Sequence, residues 1–258
     1  MAKLKNYNSL LQHFVIFLTL LLFISCANTP LFVSRIEGKK IGITNENIDL
    51  ATFEDVIKPY RENIDKDLNT VLAYAPETID KTGEWQSSIG NLLADVTLER
   101  SNSIFNKREQ KNIDICLLNH GGIRSIIPKG AVTTRVAFEI MPFENAAIVV
   151  ALKGEQILEI ANYIITEKKP HPLSGLTFTI GKDATAKNIL IQGKPLENEM
   201  VYYVVTSDYL ANGGDNMNFF KKGVTNYPID YKLRNILIDY FKEVDTIPLV
   251  KDKRISVE

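Results

Sequence analysis

Two glycine turns carry residues that are suited to holding a small ligand. The first, N-H-G-G-I-R at residues 119–124, follows an apolar run that predicts a buried strand over residues 113–118. The second, at residues 208–215, follows another predicted strand, over residues 200–206. Paired glycines permit positive φ and a close approach of the backbone to a ligand. The arginine of the first turn, Arg124, can present a fixed fork of donors to a phosphate or a carboxylate.

Length and charge restrict the class of protein. The chain has 258 residues, 45% of them hydrophobic and 24% charged, with a formal net charge of −1. These values are typical of a globular protein with room for one large hydrophobic core. A near-neutral chain lacks the concentrated basic surface that nucleic-acid polymers require, so we expect no such polymer among its partners.

The amino terminus has the pattern of an export signal followed by a lipid-attachment site. Two lysines precede an apolar run over residues 14–24, which is too short to span a bilayer comfortably and favours a signal peptide over residues 1–25. The run ends in F-I-S-C, which resembles a bacterial lipobox. Lipidation of Cys26 would anchor the protein in the bacterial cell envelope, with its domain on the periplasmic or extracellular face. The alternative is an ordinary cleavage site beside an unmodified cysteine.

The second cysteine, Cys116, lies among apolar neighbours within the strand predicted over residues 113–118. This position predicts a small core residue, because a catalytic thiolate needs an accessible, electropositive setting. The sequence has only two cysteines, and one is the expected lipidation site. We therefore expect no disulfide.

The hydrophobic pattern predicts strands and helices without strict alternation, which favours an α+β domain with mixed sheets and helices outside them. A tether and a first short strand are expected over residues 26–48, and a single domain over residues 49–258. Ser87 or Ser88 can cap a helix that starts there. The periodic segments are helices over residues 53–72 (with Pro59 inside), 155–166 and 231–241, and strands over residues 146–152, 173–180 and 254–257.

Further motifs complete a resemblance to a known family. M-P-F-E-N at residues 141–145 lies between the two glycine turns, and G-N-L-L-A-D at residues 90–95 precedes both. In order and spacing the motifs resemble the C-terminal, substrate-binding domain of the 5′-nucleotidase and UDP-sugar hydrolase family. The resemblance runs from about Trp85 to Phe220. It implies a layered sandwich of mixed β-sheets flanked by helices.

The resemblance also implies a site for a nucleotide or nucleoside. Two aromatic rings stack on the base in that family, and the matching positions here are Phe143 and Tyr209, with tyrosine where phenylalanine is usual. The resemblance places Asn119 near the base edge, Asp215 on the ribose hydroxyls and Arg124 on a phosphate. The chemistry of these side chains suits the three roles. Glycines of the two turns complete the expected site: Gly121, Gly213 and Gly214.

Each position also has a purely structural interpretation. Phe143 could be a core aromatic residue after a proline, and Tyr209 could hydrogen-bond locally at a strand end. Asn119 and Asp215 could serve the turns alone. His120 stands where the family often has glycine, and we interpret it as a turn residue.

The sequence lacks the pattern of the family's catalytic half. Hydrolytic members carry an N-terminal metallophosphatase domain with two metals held by Asp, His and Asn, and no D-x-H or G-N-H-[DE] pattern precedes Trp85. We therefore expect no metal or other cofactor in this chain, and two divalent metals on a separate metallophosphatase chain. His171, between two prolines, is expected to be an exposed loop residue and not a ligand. The role of Trp85 stays open.

A second departure concerns phosphate affinity. The family often has a phosphate-binding arginine just upstream of the motif at residues 90–95, whereas residues 82–87 contain no basic side chain. The resemblance therefore implies weaker phosphate binding, or a charge supplied by the partner.

Together these observations predict the nucleotide-binding half of a split 5′-nucleotidase, which acts in nucleotide catabolism from a lipid anchor. Two other hypotheses remain open. One is a surface lipoprotein that binds nucleosides or nucleotides without a catalytic partner, and the other is a degenerate relative that serves as a scaffold.

Overall fold

The computed structural model describes residues 2–23, 33, 35–42 and 50–258. The chain divides into two units, Met1–Phe53 and Glu54–Glu258. Helix α1 spans Ala2–Phe23, and residues 35–42 have no regular secondary structure. Within the described ranges no helix has both the length and the apolarity needed to cross a membrane. The expected lipidation site, Cys26, lies outside the described residues.

The region before the domain core differs from the prediction in two respects. Helix α2 spans Leu50–Leu68 and contains Pro59, so it ends earlier than the helix predicted over residues 53–72. The first strand observed, β1, is Val71–Ala75, and the described part of residues 26–48 contains no strand. The spacing of α2 was correctly interpreted as helical, although its apolar stripe is exposed to solvent rather than packed in the core.

The later elements follow the predicted order closely. Ser87 caps α3, because its side-chain oxygen accepts a hydrogen bond from the backbone N–H of Gly90 at 3.2 Å. The remaining helices are α3 Ser88–Glu109, α4 Thr134–Ile140, α5 Gly154–Glu167, α6 Asp208–Ala211 and α7 Leu233–Glu243. The strands are β2 Ile115–Leu117, β3 Gly130–Thr133, β4 Ala146–Lys153, β5 Leu173–Ser174, β6 Leu176–Ile180, β7 Ala186–Ile191, β8 Lys194–Pro195, β9 Val201–Ser207, β10 Thr225–Lys232 and β11 Ile255–Val257.

A five-stranded mixed sheet in the order β10-β4-β9-β2-β5 forms the centre of the domain. Strand β2 is parallel to β9, and the other neighbours in this sheet are antiparallel. Side chains of β2 alternate between two hydrophobic clusters, with Cys116 in one and Ile115 and Leu117 in the other. Both faces of the sheet are therefore buried, as a continuous apolar run predicts.

Helices cover the two faces of this sheet. Helices α3 and α7 pack with one cluster, while α5 packs with the other beside a second sheet in the order β11-β6-β7-β8. The predicted α+β layered sandwich of mixed sheets and helices is confirmed. Cys116 is buried within it, and burial raises the pKa of its thiol well above the usual range, as expected of a core residue.

The motif at residues 90–95 has a structural role in this sandwich. The buried guanidinium of Arg254 forms ion pairs with Asp95 at 2.6 Å and with Asp252 at 2.9 Å. Asn91 donates its side-chain amide to the carbonyl of Asp252 at 3.1 Å. These contacts tie the carboxyl-terminal segment to α3, because a buried guanidinium must be paired.

The sheet topology brings three connecting segments to one edge. Strands β2 and β9 run parallel and end side by side, and β4 runs antiparallel to β9 with Ala147 opposite Ser207. The segments that follow β2 and β9 therefore meet the segment that precedes β4. These are the three segments in which the sequence predicts binding residues.

Candidate functional site

A cavity of about 380 Å³ lies at this edge of the central sheet. Six of the eight predicted site residues line it. Gly122 and Asn145, which were not among the predicted residues, also line it. A volume of this order is typical of a small-molecule pocket. The lining residues are Asn119, Gly121, Gly122, Arg124, Phe143, Asn145, Tyr209 and Asp215.

Both predicted aromatic rings are half exposed at this cavity. Phe143 is 45% exposed and Tyr209 is 46% exposed. These exposures exclude the interpretation of Phe143 as a core residue. Two rings on the walls of one cavity provide flat apolar surface for an aromatic ligand.

Arg234 of α7 stabilises the turn that carries Phe143. Its buried guanidinium donates to the carbonyls of Met141, Pro142 and Phe143 at 3.2–3.4 Å and forms an ion pair with Glu144. Hydrogen bonds from Lys232 and Arg234 lower the pKa of the Glu144 carboxyl to about 2. Local sequence gives no signal for this support, because Arg234 lies on a helix far along the chain.

Asp215 is the centre of a hydrogen-bond cluster in the cavity wall. Its carboxylate accepts hydrogen bonds from the side-chain amide of Asn119 at 2.7 Å and from the hydroxyl of Tyr209 at 2.8 Å. The backbone N–H of Asp215 donates to the same hydroxyl at 3.2 Å. The structural interpretations of these three residues are thus correct in part, since each makes local contacts while it also faces the cavity.

The glycines of the second turn support the ring of Tyr209. A Cβ atom on Gly214 would lie 2.4 Å from Cε1 of Tyr209, so only glycine permits this packing. Gly213 has φ of 83° and forms the preceding bend. Neither glycine is among the residues that line the cavity, which differs from their predicted place at the ligand. Gly121, by contrast, is part of the lining.

Arg124 lines the cavity, and a second cation, Lys81, contacts the backbone of the residue before it. The exposed guanidinium of Arg124 donates to the carbonyl of Gly121 at 3.2 Å, and its Cζ lies 5.5 Å from the centroid of the Phe143 ring. Lys81 donates from Nζ to the carbonyl of Ile123 at 2.6 Å. Burial, and then the charge of Arg124, lower the pKa of Lys81. No acidic side chain in the described part of the chain lies within ion-pair distance of either cation.

Lys81 provides a basic side chain close to Arg124, although residues 82–87 were predicted to leave the phosphate with weaker binding. That window contains no basic side chain, but Lys81 lies immediately before it and reaches the backbone next to Arg124. The sequence shows that residue 81 is a lysine, but nothing in the local pattern marks it as a neighbour of the glycine turn.

His171 is buried, so the prediction of an exposed loop residue was wrong. Only 4% of its surface is exposed, and its Nδ1 accepts a hydrogen bond from the backbone N–H of His120 at 3.2 Å. Burial, assisted by nearby His120, lowers the pKa of His171 to about 4. His120 itself begins a 3₁₀ turn, His120–Gly122, in agreement with its interpretation as a turn residue. Trp85 is half buried and packs against the cluster on the α5 side of the sheet.

The residues described by the structure contain no group of three or more His, Cys, Asp or Glu side chains placed to hold a metal ion. The groups that line the cavity are suited to binding a small molecule. The site offers two aromatic surfaces, amides and a carboxylate for hydrogen bonding, and two cations for an anionic group.

Comparison with known proteins identifies the family. The profile of the family described as "5′-nucleotidase, C-terminal domain" matches residues 70–222, which is more than half of the chain. The chain belongs to this family. The matched range contains every residue that lines the cavity, and the resemblance stated from the motifs is confirmed.

Individual relatives agree with this assignment. The chain is 22% identical over 245 residues to an apyrase of Tabanus yao, covering 86% of this chain and 44% of the apyrase. It is 31% identical over 225 residues to the cell wall protein Lmo0130 of Listeria monocytogenes, covering 81% of this chain and 26% of that protein. The fold resembles the crystal structure of a 5′-nucleotidase precursor from Thermus thermophilus, with a TM-score of 0.67, 24% identity and coverage of 80% of this chain and 43% of that one. The chain thus spans less than half the length of these relatives.

Proposed function

We propose that this protein is the nucleotide-binding half of a split 5′-nucleotidase, whose hydrolytic metals reside on a separate metallophosphatase chain. The observation that carries the proposal is the cavity itself. Two half-exposed aromatic rings, a carboxylate and two neighbouring cations line or adjoin one pocket in a 5′-nucleotidase C-terminal domain. This set of groups matches the base, sugar and phosphate of a nucleotide.

Each part of a nucleotide has a chemically suitable partner in the cavity. The base stacks between Phe143 and Tyr209, which accept any base because every base presents a flat π-face. Asp215 accepts hydrogen bonds from the ribose hydroxyls, and Asn119 offers its amide oxygen at the base edge. Arg124 binds the phosphate through charge-assisted hydrogen bonds.

The partner supplies the reaction chemistry in this proposal. Two divalent metals on a metallophosphatase chain would activate water and stabilise the leaving oxygen of the phosphate ester. The described residues of this chain offer binding groups and no grouping of metal ligands. The chain therefore positions the nucleotide, while phosphate-ester hydrolysis in nucleotide catabolism takes place on the partner.

The proposal also includes an anchor in the cell envelope. Cys26 follows the export-signal pattern over residues 1–25, and acylation there would attach the protein to a membrane on its periplasmic or extracellular face. The similarity to a protein named as a cell wall protein of Listeria monocytogenes supports an envelope location.

An activity assay on the purified full chain tests the split. We expect no hydrolysis of AMP or UDP-glucose with Mg²⁺, Mn²⁺, Zn²⁺ or Co²⁺, and hydrolysis when a metallophosphatase chain that co-purifies with it is added. The full chain should also fractionate with membranes through Cys26. Robust turnover by the isolated chain would contradict the split, and nucleotide binding without any gain from the metallophosphatase would instead support a non-catalytic binding lipoprotein.

A further inference from the structure

Asp215 is an exposed residue that is held by two tyrosines from different parts of the domain. The hydroxyl of Tyr209, which follows β9, contacts the carboxylate of Asp215 at 2.8 Å and its backbone N–H at 3.2 Å. The hydroxyl of Tyr163, on α5, donates to the backbone carbonyl of Asp215 at 2.8 Å. Side chain, N–H and C=O of one residue are therefore all hydrogen-bonded to tyrosine.

The backbone of Asp215 needs such support. Asp215 has φ of 50° and ψ of 31°, and the next residue, Asn216, has φ of 60°. Asp and Asn adopt the left-handed region more readily than other residues with a side chain, but as single residues, and two in succession are favoured only where surrounding contacts hold them. The tyrosine contacts are placed where they can hold this turn.

Tyr163 packs against two other aromatic rings. Its ring centroid lies 5.5 Å from that of His171 and 5.6 Å from that of Phe219, the latter in an edge-to-face arrangement. Burial, and then the charge of Glu167, raise the pKa of Tyr163 to about 12, so its hydroxyl keeps its proton at physiological pH. The packed ring thus presents one hydroxyl donor to the turn.

We propose that Tyr163 and the hydroxyl of Tyr209 form a clamp that positions Asp215 to accept both hydroxyls of a cis-diol. The inference rests on the proposed function, in which Asp215 accepts the ribose hydroxyls, and adds the two tyrosines that position its carboxylate. An ionised carboxylate has about four lone-pair sites on its two oxygens. Tyr209 occupies one oxygen and Asn119 the other, which leaves acceptor capacity on each oxygen for one of two adjacent hydroxyls. The clamp thus keeps the carboxylate in the one orientation that can accept from two adjacent hydroxyls at once.

Tyr163 is a positioning residue in this arrangement, because it touches the backbone of Asp215 and does not line the cavity. Tyr209 has two roles, since its ring stacks on the base and its hydroxyl orients the carboxylate. The family usually has phenylalanine at this position, so the hydroxyl half of the clamp distinguishes this chain.

The variant Tyr163→Phe tests the clamp, because it keeps the ring packing and removes one hydrogen bond. We expect calorimetry to show adenosine binding weakened about three- to tenfold, the effect of one neutral hydrogen bond. Binding of 2′,3′-dideoxyadenosine should stay unchanged. The matched control is Tyr231→Phe, which removes a tyrosine hydroxyl from the carboxylate of Asp239, outside the cavity, and should leave both affinities unchanged.

Equal weakening of both ligands, or no change in either, would overturn the clamp. Amide hydrogen exchange at Asp215 and Asn216 provides an independent measurement, since exchange should accelerate in Tyr163→Phe and not in Tyr231→Phe. This readout also separates the two proposals. Accelerated exchange in a protein that binds no nucleoside would retain the clamp as a structural device and contradict both the proposed function and the diol binding. Unchanged exchange with intact adenosine binding would contradict the clamp alone.

Discussion

Lys81 and Arg124 place two positive charges beside one cavity without an acidic partner in the described structure. Like charges that are held together cost free energy, and an anion between them relieves that cost. The lowered pKa of Lys81 has burial as its first cause and the charge of Arg124 as its second. The arrangement favours a ligand that carries a phosphate over a neutral nucleoside.

Replacing Lys81 should therefore affect phosphorylated ligands selectively. We expect Lys81→Met to weaken AMP binding about three- to tenfold, in keeping with ~1 kcal/mol for a partly exposed charge pair. Adenosine binding should not change, and Lys81→Arg should restore AMP binding. Calorimetric titration at two salt concentrations measures the effect, with Lys129→Met as a control for an exposed lysine outside the cavity. Equal losses for AMP and adenosine would show that Lys81 only supports the turn.

Single residues of the site were predictable where they lie in a motif at the end of a strand. Asn119 and Tyr209 are of this kind, since a buried strand followed by a turn can be recognised from local sequence, whereas Phe143 precedes β4 and was identified through the order of the family motifs. Lys81 and Tyr163 were not predictable, because each reaches the site from a segment whose own pattern is unremarkable. Their contacts with Ile123 and Asp215 depend on how distant elements pack, which one sequence does not reveal.

At the scale of elements, the segment between α5 and β5 joins the binding turn to the core. In this segment, Nδ1 of His171 accepts a hydrogen bond from the backbone N–H of His120, so this nitrogen must be unprotonated. Its Nε2 is buried without a hydrogen-bond partner. Protonation would place a charge in an apolar setting and remove the contact with the turn.

This geometry predicts a loss of stability in acid. The pKa of His171 is about 4 in the folded protein, against 6.5 for a free histidine. Stability from neutral His171 is thus fully present above pH 6.5 and is lost as the pH falls towards 4, by roughly 3 kcal/mol in all. Chemical denaturation between pH 7.5 and 4 should show a shallower decline for His171→Asn, which keeps an acceptor near Nδ1 and cannot titrate. An identical slope for the variant and the wild type would contradict this assignment.

Elements with strong periodicity were predicted well, and elements with a mixed pattern were not. Strand β10, Thr225–Lys232, contains Pro228 and was missed, because proline argues against a central strand. It is tolerated here because β10 is the edge strand of the sheet. The end of α2 was also misplaced, since Val71 continues the helical spacing while its backbone pairs with Thr133 of β3.

At the scale of the whole molecule, the layered α+β architecture follows from buried strands that are apolar on both faces and from helices with one apolar face. The exposed stripe of α2 did not follow from its pattern, because periodicity identifies a helix but not the surface that covers it. The same limit applies to His171. Flanking prolines indicate a loop, but they do not reveal that the loop packs against Tyr163 and is buried.

The central claim is that the cavity binds a nucleoside between Phe143 and Tyr209, and calorimetric titration with adenosine tests it most directly. Replacing Phe143 also removes its contact with Arg124, the proposed phosphate ligand. Adenosine has no phosphate, so a change in its affinity does not report on Arg124 binding a phosphate. We expect the wild-type protein to bind adenosine, and Phe143→Ala or Tyr209→Ala to weaken binding about 5- to 150-fold, corresponding to ~1–3 kcal/mol for one base–aromatic stack. Tyr60→Ala, which removes an exposed ring of α2 outside the cavity, should bind as the wild type does. Absence of binding by the wild type, or equal affinity in Phe143→Ala and the wild type, would contradict the account.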